Sequence, residues 1–162
     1  MPLTSVDSPD LHGKITLGWR EWVALPDLSI KKIKAKIDTG ARTSALHAFR
    51  LDTFKENGQL KVSFSVHPKQ RQTIITKDCM ADVIDYRWVS DSGGHREQRY
   101  VIHTTLVIGK IPQVIELTLT NRDDMKFRLL LGRTALSSNY LIDPEKSYLT
   151  KRHHLHDKQG LL

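Results

Sequence analysis

In Lys34-Ala-Lys-Ile-Asp-Thr-Gly-Ala-Arg-Thr-Ser-Ala-Leu46 a single carboxylate, Asp38, follows a lysine-rich run and opens a Thr-Gly turn. Just upstream, Lys32, Lys34 and Lys36 alternate with Ile33, Ala35 and Ile37, the period-2 signature of a strand with one wet and one buried face. Asp38 therefore stands where a strand ends. An acidic residue beside glycine in such a turn has, on its own, a purely conformational explanation.

The alternation continues outward. Leu60, Val62, Phe64 and Val66 share one face of a strand that Pro68 ends. Ala81 to Val89 and Arg99 to Ile108 are β-rich runs on either side of Ser90–Gln98, whose polar and glycine content predicts a hairpin tip, so 80–108 reads as one long hairpin. Gly109-Lys110 makes the next turn, and Ile115, Leu117 and Leu119 mark the strand after it. Asn121–Asp124 breaks that strand. Phe127–Leu131 is a short apolar run ending in Gly132-Arg133, and Thr134–Asn139 is the one short helix expected. A final strand pair is expected around Asp143-Pro144, reaching about Thr150. Short strands joined by Gly, Pro, Asn and Asp turns predict an all-β barrel or sandwich.

A chain of 162 residues suits one domain, placed at 14–150, with a flexible segment at 1–13 and a polar tail at 151–162. No apolar run is long enough for a signal peptide or a membrane span, so a cytoplasmic location and no membrane partner are expected. The single cysteine, Cys79, excludes an internal disulfide and reads as a small buried side chain. A net charge of +7 draws acidic partners. The cations are dispersed, with neither zinc-finger spacing nor an aromatic RNA-binding signature, which makes nucleic acid a minority reading. Trp19, Trp22, Trp88, Tyr100 and Ile102 read as core or dimer-interface residues.

Two pieces stand in order: an apolar strand running into Asp38-Thr39-Gly40-Ala41, and Leu129-Leu130-Leu131 running into Gly132-Arg133. The pair resembles the retropepsin-like aspartic proteases, in which a D-T/S-G-A turn carries the catalytic Asp and a hydrophobic-hydrophobic-Gly-Arg segment followed by a short helix packs behind it. The phrases Arg20–Pro26, Ala35–Leu46 and Asn121–Arg133 are also similar to a bacterial family labelled "ATP-dependent zinc protease". The sequence has neither a G-x-x-x-x-G-K-[ST] phosphate loop nor an H-E-x-x-H helix, so only the fold is carried over from that label, with no cofactor and no metal. His153, His154 and His156 read as a solvated basic tail.

The resemblance implies a closed acid-protease β-barrel and a catalytic turn of Asp38, Thr39 and Gly40, with Ala41 beside the substrate and Leu131 and Gly132 as structural support behind it. Aspartic proteolysis needs two carboxylates about 3 Å apart sharing one proton. One Asp-Thr-Gly triplet in one domain then implies a homodimer whose twofold axis passes between two copies of Asp38. Gly93 and Gly94, between the two motifs, are flap candidates. They come later in the chain than in viral relatives, which implies an inserted β-segment within 50–80. Viral members have Asp where this chain has Arg42. Arg42, Arg133 and Lys36 thus become candidate contacts for an acidic, glutamate-rich or polyglutamate peptide, which a guanidinium grips bidentately. Relatives of the family are associated with a ligase that appends glutamates to a ribosomal protein. The alternatives are a non-catalytic barrel binding acidic peptides and a basic RNA-binding barrel.

Overall fold

A computed structural model describes residues 13–69, 75–91, 93–136 and 139–150. In chain order the strands are β1 (Ile15–Leu17), β2 (Arg20–Leu25), β3 (Ile30–Ile37), β4 (Ser44–His47), β5 (Phe49–Glu56), β6 (Gln59–Val66), β7 (Lys77–Asp82), β8 (Asp85–Ser90), β9 (Arg96–Ile108), β10 (Ile111–Thr120), β11 (Leu129–Leu131) and β12 (Tyr140–Ile142). The one α-helix among the described residues, α1, spans Arg133–Leu136.

Six strands close a ring in the order β10-β4-β11-β3-β2-β9, completed by pairing of β9 with β10; β8 extends the sheet beyond β9. The ring follows from side-chain alternation. Ile33, Ala35 and Ile37 of β3, Leu46 of β4, Leu117 and Leu119 of β10, and Leu129 and Leu131 of β11 all point into one core. Each fully buried Leu or Ile contributes about 1.5–3 kcal/mol relative to exposure. The expected all-β, retropepsin-like architecture is therefore present.

The topology sets the Asp38 turn, which leads from β3 to β4, beside the end of β11. Strand β11 lies between β3, its parallel neighbour, and β4, its antiparallel one, with Leu131 opposite Ile37 and Leu130 opposite Ala45. The chain leaving β3 at Ile37 and the chain leaving β11 at Leu131 thus emerge side by side. The stretch where the sequence implies an inserted β-segment carries a separate three-stranded sheet, β5-β6-β7, whose strands lie between Phe49 and Asp82.

Three local expectations change. The 80–108 stretch is not one hairpin: β7 pairs with β6, and only β8 pairs with β9. The chain changes sheets at Val83-Ile84, where the Val83 amide donates to Leu60 and the Ile84 amide to Val101. Alternation marks a strand without naming its partner.

Secondly, no strand pair forms across Asp143-Pro144. Strand β12 pairs in parallel with β1 instead, and 143–150 is a run of turns clamped by Glu21. The fully buried Glu21 carboxylate accepts the amides of Gly18, Leu149 and Thr150 and the Thr150 hydroxyl. A Cβ on Gly18 would run into the Lys146 carbonyl. Thirdly, the helix begins at Arg133 rather than Thr134, and 137–138 lie outside the described residues.

Of the residues read as core or interface, Ile102 is buried and Trp19, Trp22 and Tyr100 are half-buried, whereas Trp88 is exposed with Arg96 over its ring. Cys79 is buried, which pushes its thiol up to about 11.

Candidate active site

The Asp38 turn is built from both sides. The Asp38 amide donates to the Leu131 carbonyl at 2.8 Å, and the Ala41 amide closes the turn on the Asp38 carbonyl at 3.2 Å. The Gly40 amide donates to Asp38 Oδ1 at 3.1 Å, fixing the carboxylate. A Cβ on Gly40 would stand 3.3 Å from that oxygen, tighter than ordinary contact.

The first turn of a helix has amides with no partner inside the helix. Here two of them brace the active-site turn: Arg133 N donates to Ala41 O at 2.8 Å and Thr134 N to Arg42 O at 3.0 Å. Gly132 N donates to Ser44 Oγ at 3.1 Å, and Thr118 Oγ1 donates to the Ser44 carbonyl at 2.9 Å. Gly132 permits this approach because a Cβ there would lie 2.6 Å from the Thr43 carbonyl oxygen. Leu131 and Gly132 therefore stand directly behind the turn, both buried.

Asp38 and Ala41 are half-buried, while Thr39, Gly40, Arg42 and Lys36 are exposed. Arg133 is exposed too, and its Nη1 donates to the Thr39 carbonyl at 3.0 Å, so part of its fork braces the turn. Gly93 and Gly94 are exposed at the tip between β8 and β9, 55 positions and more along the chain from Asp38. Asp91 Oδ1 accepts the amides of Gly93 and His95, and Asp91 Oδ2 meets Arg122 Nη1 at 3.0 Å. The His95 amide first, then Gly93 and the Arg122 guanidinium, hold the Asp91 carboxyl below its ordinary value. The tip is thereby tethered to the segment that follows β10.

The sheet face opposite the core is polar and partly buried. Arg99 donates through Nε to Glu97 at 2.7 Å and through Nη1 to Thr118 at 3.4 Å. Thr120 donates its hydroxyl to the same Glu97 oxygen. Burial pushes the Glu97 carboxyl upward, but the Thr120 hydroxyl and Arg99 outweigh it and leave it below the ordinary value. The adjoining row carries His47, fully buried, and Arg128, 8% exposed. His47 Nδ1 accepts the Arg122 amide, so Nε2 carries the proton in the neutral ring, 3.3 Å from Asp123 but outside hydrogen-bond geometry. Burial first, then the Arg128 charge, lowers the His47 pKa.

Sequence reasoning missed Ser44, Glu97, Arg99 and Arg128. Arg128 did leave a signal, a cation inside the otherwise apolar run Phe127–Leu131. No cluster of three or more His, Cys, Asp or Glu suited to a metal occurs among the described residues; the His153, His154 and His156 tail lies outside them. No helix among them is long and apolar enough to cross a membrane.

A closed ring of strands, with an Asp-Thr-Gly turn braced by a Leu-Leu-Gly-Arg segment and the helix after it, defines a retropepsin-like protein. The family model described as "Retropepsin-like aspartic endopeptidase RimB" matches residues 16–153, and the chain belongs to this RimB-like family. A protein of Shewanella pealeana named "Probable alpha-L-glutamate ligase" is 44% identical over 135 residues, covering 83% of this chain and 30% of that protein. One of the same name from Desulfotalea psychrophila is 46% identical over 139 residues, covering 85% of this chain and 29% of its own length. The chain thus spans under a third of the length of these curated relatives, whose names refer to a ligase and not to a zinc protease. Among solved structures, a Legionella pneumophila protein of unknown function superposes with a TM-score of 0.69 at 26% identity, covering 84% of this chain and 98% of that one.

Proposed function

We propose that the protein is an aspartic endopeptidase that works as a homodimer with one catalytic carboxylate, Asp38, from each subunit, and that it cleaves glutamate-rich or polyglutamate peptides. The observation that carries this reading is the double bracing of the Asp38 turn. Its amide is held by Leu131, its carboxylate by the Gly40 amide, and its far side by the first amides of α1. Such rigidity serves chemistry that needs a reacting group placed to a fraction of an ångström.

Two such turns meeting on a twofold axis supply what one lacks. The ionised member of the pair takes a proton from a water molecule as its oxygen attacks the peptide carbonyl. The protonated member donates to the carbonyl oxygen. When the tetrahedral intermediate collapses, one of its hydroxyls returns a proton to the carboxylate that had donated it, the C–N bond breaks, and the amine leaves with the proton that came from water, so the pair again shares one proton. The tethered tip carrying Gly93 and Gly94 serves as a flap that closes over the extended substrate.

Support for a glutamate-bearing substrate comes from two directions. Among the described residues no carboxylate forms an ion pair with Lys36, Arg42 or Arg133, so their charge is available to an acidic chain. The matching domain also forms part of relatives named for joining glutamate. That second fact equally favours a non-catalytic module that presents acidic peptides to a ligase.

Mass spectrometry after incubation with an oligoglutamate peptide separates the two readings, with Asp38→Asn run alongside. Products from wild type alone support the peptidase. Binding by both proteins with cleavage by neither supports the module.

A further inference from the structure

Arg128 is a buried cation that the described residues leave without a counter-charge. Leu129 and Leu131 turn into the core with no exposure, so alternation puts Arg128 and Leu130 on the opposite face. There the Arg128 side chain is 8% exposed and its Nε is buried with no acceptor among the described residues. No carboxylate among the described residues pairs with it. The side chain beside it, His47, is pushed toward its neutral form, partly by Arg128 itself, and offers no compensating charge. A guanidinium with a buried, unsatisfied Nε and no counter-charge among the described residues is costly to hold, and it calls for a further acceptor.

Its position says what that acceptor is for. The His47 amide donates to the Arg128 carbonyl at 2.8 Å, which continues the β4–β11 register and sets Arg128 opposite His47. The β3–β11 register, continued one step, sets it beside Lys34. Asp38 is level with Gly132 at the other end of the same strand, four residues or about 13 Å away in extended chain. A substrate lying extended along this face advances at the same rise per residue. Arg128 then meets a side chain a few residues from the cleaved bond.

We propose that Arg128 is a specificity-determining residue that receives a carboxylate side chain of the substrate, its planar fork matching a carboxylate bidentately. The proposal rests on the acidic-peptide reading above for its ligand. It differs from the exposed Lys36 and Arg42, whose charges are screened and act mainly in steering. A buried cation instead discriminates, because a neutral isostere leaves it unpaired. Arg99 does not compete for the role, since Glu97 already occupies it.

The test compares kcat/KM for an oligoglutamate peptide and for the same peptide with glutamines, in wild type, Arg128→Gln and Arg128→Lys. Calorimetric binding of the oligoglutamate to all three proteins runs in parallel, and thermal melts verify folding. The proposal predicts that Arg128→Gln lowers the preference for glutamate over glutamine about 10- to 100-fold, mostly through KM, with Arg128→Lys in between. An unchanged preference, with both peptides slowed alike, makes Arg128 structural and overturns it. If Arg128→Gln does not fold, Arg128→Lys decides on the same criterion. If wild type cleaves neither peptide, the peptidase reading fails, and binding decides the subsite: weaker oligoglutamate binding by Arg128→Lys upholds it, and equal or absent binding overturns it.

Discussion

Gly132→Ala puts the bracing of the catalytic turn to a quantitative trial. The added Cβ would sit 2.6 Å from the Thr43 oxygen, 2.7 Å from the Thr43 carbonyl carbon and 2.9 Å from the Arg42 carbonyl carbon. All three are backbone atoms, which cannot swing aside as a side-chain end can. Restoring ordinary contact requires a retreat of roughly 0.8 Å, the difference between 2.6 Å and the 3.4 Å at which normal contact begins. That shift strains the Gly132–Ser44, Arg133–Ala41 and Thr134–Arg42 hydrogen bonds together. Overpacking costs about 1–3 kcal/mol, and each weakened bond about 0.5–1 kcal/mol more. A total of about 2.5–6 kcal/mol moves the urea midpoint down by roughly 1–3 M. Peptide cleavage falls on the order of 100-fold, because a displacement approaching 1 Å is enough to misplace a reacting group. Equilibrium urea unfolding and a cleavage assay read the two effects. A variant within 0.5 kcal/mol of wild type with undiminished turnover would refute the reasoning.

Glu21→Gln replaces one acceptor oxygen of a buried carboxylate with a donor amide that faces backbone N–H groups. The loss is about 3 kcal/mol, seen as a fall of roughly 6–12 °C in Tm; an unchanged Tm would show that 143–150 is anchored by something else. His47 makes stability depend on acid. Its pKa is lowered in the fold, by burial and by Arg128, against Asp123 and the Thr120 backbone, which pull it up, and with His67 lowering it slightly. The unfolded chain therefore takes up its proton first as pH falls. The contribution is complete above about pH 6.5 and drains away as pH drops toward the depressed folded value. Melting curves from about pH 7.5 to 5.5 should fall more steeply for wild type than for His47→Gln; parallel slopes would remove His47 as the cause.

Period-2 alternation made much of this fold legible. Lys32–Ile37, Leu60–Val66 and Ile115–Leu119 form strands where the pattern put them, and the Asp38 and Gly132 segments meet as their order implied. What stayed hidden was mostly partnership. The residues 81–89 look continuous, yet Val83-Ile84 passes from one sheet to another, because alternation is local while pairing is not. Strand β12 finds β1 across the length of the chain, a contact no short window contains. Asn57-Gly58, a tight hairpin-turn signal left unused in reading the sequence, adopts positive φ at both residues between β5 and β6. In the site, the Asp38 turn was visible as a motif. Arg128 and the Glu97–Arg99 pair were not, since a cation in a strand reads as exposed until the register reveals what covers it.

Subunit mixing tests the shared carboxylate pair most directly. Wild type is unfolded and refolded together with an equal amount of Asp38→Asn, and cleavage of the oligoglutamate peptide is compared with the same wild type refolded alone. If each active site needs Asp38 from both chains, random pairing leaves only wild-type dimers active, and the rate drops to about half. A rate untouched by the mutant chains, or turnover by Asp38→Asn on its own, would contradict the account.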